Sequence, residues 1–529
     1  MGHYAVELSF VLPRARLMGS GVWRLPHYVA RMPAYQRTLE TVLPGWLSAS
    51  QARVEAGGTA AAEWESFKER VRSFSRLFLD DYRALQRRRA TRAEQTLEDM
   101  DAELEGAGFS MEASQRYLDA AEESHAERAR ADAVAAERAG VRERDVHGRG
   151  TREFHGMCER RFRAPPEVVT DMGGAASITG ILEAVAKHYS GDQPGGVFAL
   201  ADVNRAAQDR LLAHFEQRLT PVERRDDKPC SAGDLLTVLR RTAGGVAPGA
   251  DGLPFEWYRA FPEALELLAM VAEGARQGGG LPASMRRSVI VLIYKGSGSR
   301  SDISKWRPIS LIDTDARLVM GHMQDRLTPG LSRLIGPHQT AFLPGRSIVD
   351  VGLTALEVVG YTSREAVDGA LVGLDWKGAY DAVDRGWLVR VMLHVGFPVG
   401  LVRLLVCLHT GTSSRVVING FLSMPFPVRR GVRQGDPSAP LLYVLALEPL
   451  FSYVGGGWQP GYVPLRLPDD EGQVGVMGYA DDTTGVVVAG PGGTVEVDPL
   501  LDAAQLWGEA TGGGLSWGKS WVSCARRLT

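Results

Sequence analysis

Residues Val474–Val488 read VGVMGYADDTTGVVV: an apolar run, a short polar turn holding Asp481 and Asp482, and a second apolar run. Alternating β-branched residues on both sides of so short a turn predict a hairpin whose tip displays the two aspartates. This stretch constrains the chain more than any other, because adjacent carboxylates repel one another unless a cation lies between them. An Asp-rich turn is also an ordinary way to close a hairpin. The pair therefore points to a metal only if other segments supply a further ligand and a substrate.

With 529 residues, 44% of them hydrophobic and 23% charged, the chain can bury one large core or several. It contains no uninterrupted apolar run of about 18 residues and no basic-then-apolar leader, so neither a membrane span nor secretion is expected. The four cysteines, Cys158, Cys230, Cys407 and Cys524, form no CxxC pair, which fits a reduced intracellular setting, nucleus or cytoplasm. Because 60 Lys+Arg stand against 63 Asp+Glu, for a net charge of −3, a polyanionic partner must be held by local basic patches.

Along the chain, Tyr4–Leu12 is a short apolar run, followed by proline and aromatic punctuation through Trp46. From about Thr59 to Arg144 the sequence is rich in Ala, Glu and Arg and nearly free of Pro and Gly, which predicts long helices forming a solvated spacer or coiled coil. Arginines from Arg142 to Arg163, with Phe154 and Phe162 among them, suit phosphate contact or an ordinary solvated charge run. The segment GGVAPGADGLPFEWYR at Gly244–Arg259 has the glycines of a phosphate cradle but lacks the Lys-Ser/Thr ending of a P-loop.

Chemistry concentrates after Leu281. A β-branched strand, Ser288–Tyr294, delivers Lys295, and KWRPIS places Arg307 close behind; cations at a strand end suit a triphosphate. HQTAFLPGRSIVDV at His338–Val351 forms a loop with Arg346 at its tip. In LVGLDWKGAYDAV, an apolar strand delivers Asp375 and runs into a helix near Ala379. VRRGVRQGDPSAPLLYVLALEPL then sets Gln434 and Gly435 in a turn before an apolar helix. Asp375, Asp481 and Asp482 together are three hard oxygen donors able to hold two divalent ions, the arrangement used for in-line nucleotidyl transfer.

In this order the motifs resemble the reverse transcriptase domain of a non-LTR (LINE-type) retrotransposon polyprotein, strongly from about Gly244 to the C-terminus. The resemblance implies an α+β right-hand polymerase: an antiparallel palm sheet, fingers, a long helical N-terminal extension and a thumb mostly absent. It makes Asp375, Asp481 and Asp482 the magnesium ligands, with manganese as the alternative ion, and Lys519 in GGGLSWGKSWV the donor of a proton to departing pyrophosphate. Lys295 and Arg307 become contacts to the incoming dNTP, Gln434 and Gly435 lie against it, Tyr380 crowds a ribose 2′-OH, and Arg346 sits near nucleotide or nucleic acid. Asp381 also matches and is expected to cap a helix. The sequence departs from the family at Gly378, where lysine is usual and Lys377 stands one place early, and at Ala250, where proline is usual.

Met1-Gly2-His3 resembles the end of an endonuclease with its aspartate missing. The division that follows is an endonuclease remnant and linker over 1–58, a helical, basic-ended spacer over 59–165, an N-terminal extension over 166–285, and fingers and palm over 286–529. The expected activity is RNA-directed DNA synthesis with an RNA template, a DNA primer or target and dNTP. The alternative is a truncated, inactive relic that binds nucleic acid; an intron maturase shares the same chemistry.

Overall fold

A computed structural model describes residues 21–107, 110–138, 172, 174, 177–467, 472–490 and 493–524. The apolar run at Tyr4–Leu12, the His3 segment, Cys158 and the Arg142–Arg163 stretch lie outside the described residues.

The helix Ala439–Gly455 carries apolar side chains on every face, and such a helix is stable only when surrounded. It is buried from Ala439 to Val454 apart from Pro440 and Ser452. Two indoles dock on one of its carbonyls: Trp387 Nε1 and Trp507 Nε1 donate to Ala446 O at 2.9 and 3.2 Å. Against it lies a four-stranded sheet ordered β11-β3-β10-β9, made of β3 (Gly369–Leu374), β9 (Val476–Tyr479), β10 (Asp482–Val488) and β11 (Trp521–Cys524). All its pairings are antiparallel. Successive strand residues face opposite sides, so Val487 enters the cluster around Ala439–Gly455 while Val486 packs with Val358 of the helix Ile348–Arg364. Both faces of β3, β9 and β10 are covered, which explains why these strands read as nearly unbroken apolar runs, whereas β11 is exposed along its length.

A second sheet is mixed. β1 (Arg287–Tyr294) pairs antiparallel with β2 (Trp306–Ile312) and parallel with β4 (Ser413–Ile418); β5 (Phe421–Leu422) and β6 (Phe426–Pro427) both pair with β4. A small third sheet joins β7 (Leu465–Arg466) to β8 (Gln473–Val474).

The Ala-, Glu- and Arg-rich region forms two helices, Ala60–Ala107 and Met111–Arg138, packed side by side. The reading of a solvated spacer fails over its first five turns, where Trp64, Phe67, Val71 and Leu79 are buried in the main core with Tyr28, Tyr35 and Trp257. One cluster therefore crosses the boundaries expected at 58 and 285.

A buried charge explains that attachment. Lys68 Nζ lies 2.7, 3.3 and 2.7 Å from carboxylate oxygens of Asp251, Asp313 and Asp315, all of them buried. Burial alone would lower the ammonium's pKa, but the three aspartates hold it well above its ordinary value. The GADG loop is thus a structural clasp and not a phosphate cradle. Asp251 N donates to Asp313 Oδ1, and a Cβ at Gly249 would stand 2.2 Å from that oxygen.

Candidate active site

Strand register builds the site. Thr483 of β10 is paired with Leu374 of β3, so the next step of the ladder sets Asp375 and Asp482 beside each other where the two strands meet the surface. Asp481 occupies the turn between β9 and β10. Trp376 braces this corner from below, its Nε1 donating to Thr483 Oγ1 at 3.0 Å and its ring 4.5 Å from that of Trp507. Asp375 is tied to the C-terminal segment through its backbone: its N–H donates to Ser520 Oγ, and its carbonyl accepts from Ser516 N at 2.8 Å. Lys519 Nζ lies 3.4 Å from Asp375 Oδ2.

Acidic and basic side chains meet at this corner. Burial raises the Asp481 pKa, and the charges of Asp482 and Asp375 raise it further, while Arg307 opposes them. A divalent ion would relieve the charge that Asp482 and Asp375 place on Asp481, and their carboxylate oxygens suit a hard one. They do not form a ready-made cage: among the described residues, only Asp251, Asp313 and Asp315 bring three candidate ligand atoms within 4.8 Å of one another. In that cluster the Lys68 ammonium stands where a cation would.

Facing the aspartates is a group of cations. Lys295 lies just past β1, where burial and the neighbouring Lys519, Arg307 and Lys305 pull its pKa below the ordinary value, with Asp381 opposing. Its Nζ donates to Ser304 O at 2.8 Å, which folds the side chain over the turn between β1 and β2. Like charges held this close favour an anion between them. Tyr380 forms part of the floor, stacked on Tyr443 with ring centroids 4.6 Å apart; burial and then Asp481 raise its pKa. Gln434 and Gly435 close the other side. Ser310 N donates to Gln434 O at 2.7 Å, and a Cβ on Gly435, whose φ is +123°, would meet Ser310 O at 2.3 Å. Glycine is therefore what lets this turn lie flat on β2.

Residues 293–523 match the protein family described as reverse transcriptase (RNA-dependent DNA polymerase). Over this span the chain is similar to reverse transcriptases, and the relatives that it matches are proteins of mobile elements. It is 30% identical over 303 residues to the Transposon TX1 uncharacterized 149 kDa protein of Xenopus laevis, a match covering 56% of this chain and 22% of that protein. It is 23% identical over 412 residues to the RNA-directed DNA polymerase from mobile element jockey of Drosophila melanogaster, covering 70% of this chain and 42% of that one. A third relative is the Retrovirus-related Pol polyprotein from type-1 retrotransposable element R1 of Bradysia coprophila, 24% identical over 332 residues, covering 61% of this chain and 30% of that one. The matches thus span about a fifth to two fifths of the length of these relatives.

Within residues 293–523, the structure brings Asp375, Asp481, Asp482, Lys519, Lys295, Arg307 and Tyr380 near one another, with Gln434 and Gly435 beside them on β2 and Asp381. Arg346 is placed otherwise. Its Nη1 donates to Gly336 O and Gln339 O, and its Nη2 to Ser332 O and Ile335 O at 3.3 and 2.9 Å. The guanidinium is engaged by carbonyls at the end of the helix Thr314–Leu334 and in the loop beyond it, so it holds that loop in place.

The held loop carries Gln339, which sequence reasoning passed over. Its side chain clasps the backbone of Ala480 from both ends, Oε1 accepting from Ala480 N at 3.1 Å and Nε2 donating to Ala480 O at 3.3 Å. Ala480 has φ +58°, a left-handed conformation that an alanine adopts only at a cost. Gln339 thus fixes the strained residue directly before Asp481. Nothing in the pattern HQTAFLPGRSI separates this glutamine from an ordinary loop residue.

Asp381 also differs from expectation. It caps no helix: the helix Ala379–Ala382 has Gly378 at its N-cap and no side-chain cap bond. Asp381 is instead buried, and its Oδ2 accepts from Gln434 Nε2 at 2.8 Å.

Proposed function

We propose that the chain is an RNA-directed DNA polymerase that joins dNTP to a primer 3′-OH by two-metal nucleotidyl transfer. The observation that carries this reading is the β3–β10 register, which sets Asp375 and Asp482 side by side, with Asp481 in the adjoining turn, opposite Lys295 and Arg307. In this reading Asp375, Asp481 and Asp482 hold magnesium, or manganese in its place. The bound ions would supply charge neutralisation at the α-phosphate and at the oxygens entering and leaving it. Lys295 and Arg307 take the triphosphate oxygens, and Lys519 lies close enough to Lys295 to serve the departing pyrophosphate, either as a charge or as a proton donor. Tyr380 lines the sugar side of the pocket.

The four-stranded sheet β11-β3-β10-β9 then acts as the palm, the mixed sheet around β1 and β2 as the fingers, and the helices before Leu281 as an extension braced by Lys68. RNA template, DNA primer and dNTP are the partners of this reading, in an intracellular setting. Among the described residues no helix is long and apolar enough to cross a membrane.

Primer extension by the full chain, on RNA and on DNA templates, with magnesium and with the ion removed by a chelator, tests the reading. Extension that requires both the RNA template and the ion supports it. Nucleic-acid binding without extension would replace it with the reading of an inactive relic.

A further inference from the structure

Asp381 meets Gln434 in a way the catalytic reading does not use. It is buried, and two interactions fasten its segment to the one that carries Gln434: Gly431 N donates to Val383 O at 2.8 Å and Val432 N to Tyr380 O at 2.9 Å. A Cβ on Gly431 would stand 2.6 Å from Asp381 O, so the two segments are in direct backbone contact. Inside this clasp Gln434 Nε2 donates to Asp381 Oδ2 at 2.8 Å.

A glutamine amide is ambidextrous: its two ends have nearly the same shape and opposite hydrogen-bonding character. Left to itself, it can turn either end into the cleft. An ionised carboxylate accepts and cannot donate, so it selects the amide orientation in which nitrogen faces it. The oxygen then faces away from Asp381, and the second amide N–H remains available.

We infer that Asp381 is a positioning residue for nucleotide binding, orienting the Gln434 amide so that a defined hydrogen-bonding face meets the incoming nucleotide. This rests on the polymerase reading and deepens it at the same site. The charged and titratable groups around Asp381 are Lys295 beyond β1, Arg430 in the segment before Gln434, and Tyr189 at the end of the helix Ile178–Tyr189. Burial pushes the Asp381 carboxyl up to about 7, against the pull of Gln434, Lys295 and Arg430. When protonated, Asp381 can donate and the selection of amide orientation is lost.

The test is steady-state dNTP incorporation by the full chain, wild type beside Asp381→Ala, Asp381→Asn, Gln434→Ala and the double variant Asp381→Ala/Gln434→Ala. Losing one hydrogen bond to a charged acceptor predicts a dNTP KM raised about tenfold in Asp381→Ala with a smaller change in kcat. In the Gln434→Ala background the same substitution should add less than about twofold, because the group it orients is gone. Asparagine cannot titrate and, like the protonated carboxyl, can donate as well as accept, so Asp381→Asn should raise KM towards the value that wild type shows below about pH 7 and hold it there across the pH range. Equal effects of Asp381→Ala with and without Gln434 overturn the inference, as does an unmoved KM. Should Asp381→Ala not fold, an Asp381→Asn variant with the wild-type pH profile overturns it. Absence of extension by wild type sinks the polymerase reading and this inference with it, whereas extension without the KM pattern sinks the inference alone.

Discussion

Replacing Lys68 by Met keeps the length of the side chain and removes the ammonium seated among Asp251, Asp313 and Asp315. In the intact protein, Trp64 Nε1 also donates to Asp315 Oδ2 at 2.7 Å, so the cluster ties two residues of the helix Ala60–Ala107 to the GADG loop and the start of the helix Thr314–Leu334. Deleting one partner of a buried charge group costs roughly 3–5 kcal/mol, because the remaining charges stay desolvated and uncompensated. That is a large fraction of a typical folding stability of about 5–15 kcal/mol.

The loss should depend on pH in a definite direction. Lys68 has its pKa raised on folding, so its contribution is complete at every pH below its unfolded value and constant from about pH 5 to 8. Asp313 already has its pKa raised, first by burial and then by Asp251. Without the ammonium the Asp313 carboxyl titrates higher still, so the cluster is partly neutralised at low pH and in full conflict at high pH. Urea unfolding at about pH 5 and pH 8, with limited proteolysis to follow the helix, should show Lys68→Met losing more stability at the higher pH. A variant within about 1 kcal/mol of wild type at pH 8, or one hurt more at pH 5, would refute the assignment of Lys68 as the cluster's counter-ion.

Gln339→Ala leaves both backbone groups of Ala480 unpaired beside Asp481; we expect a loss of about 1–3 kcal/mol in unfolding experiments and a fall in kcat larger than any rise in dNTP KM. Glu448 is buried, and its carboxyl is pushed up to about 8 by burial, against a hydrogen bond from Gly336 N and the charge of Arg346. An acid whose pKa is raised on folding penalises the fold increasingly as pH climbs from its unfolded value, near 4.5, towards its folded one. Glu448→Gln keeps an acceptor for Gly336 N, so it should be more stable than wild type at pH 8, with the advantage shrinking towards pH 5 in thermal unfolding; no difference between the two pH values would contradict this.

Strand positions were the most legible part of the sequence. The runs around Asp375 and around Asp481 stand out as short, nearly unbroken apolar segments, because β3, β9 and β10 are covered on both faces. The aspartates at the strand ends could therefore be placed from the sequence together with their neighbours. The helical region after Thr59 misled because its composition averages two different environments: Trp64, Phe67 and Lys68 are core, whereas the charged residues farther along are solvated. A buried lysine and its three aspartates, separated by up to 247 residues, leave no local pattern. The same holds for Gln339 and Ala480, and for Arg346, whose exposed-looking loop position conceals four carbonyl partners. Asp381 was visible as part of a motif, but its partner Gln434 lies 53 residues away and only the fold supplies the contact.

The central claim is that Asp481 and its two companions carry metal-dependent nucleotidyl transfer. It is tested most directly by Asp481→Asn, which removes a charge at nearly constant shape. Magnesium-dependent extension of a primer on RNA should fall by at least about a thousandfold, with the unfolding midpoint at or above that of wild type because a repelling carboxylate has gone. Extension at an undiminished rate by the folded variant would contradict the account.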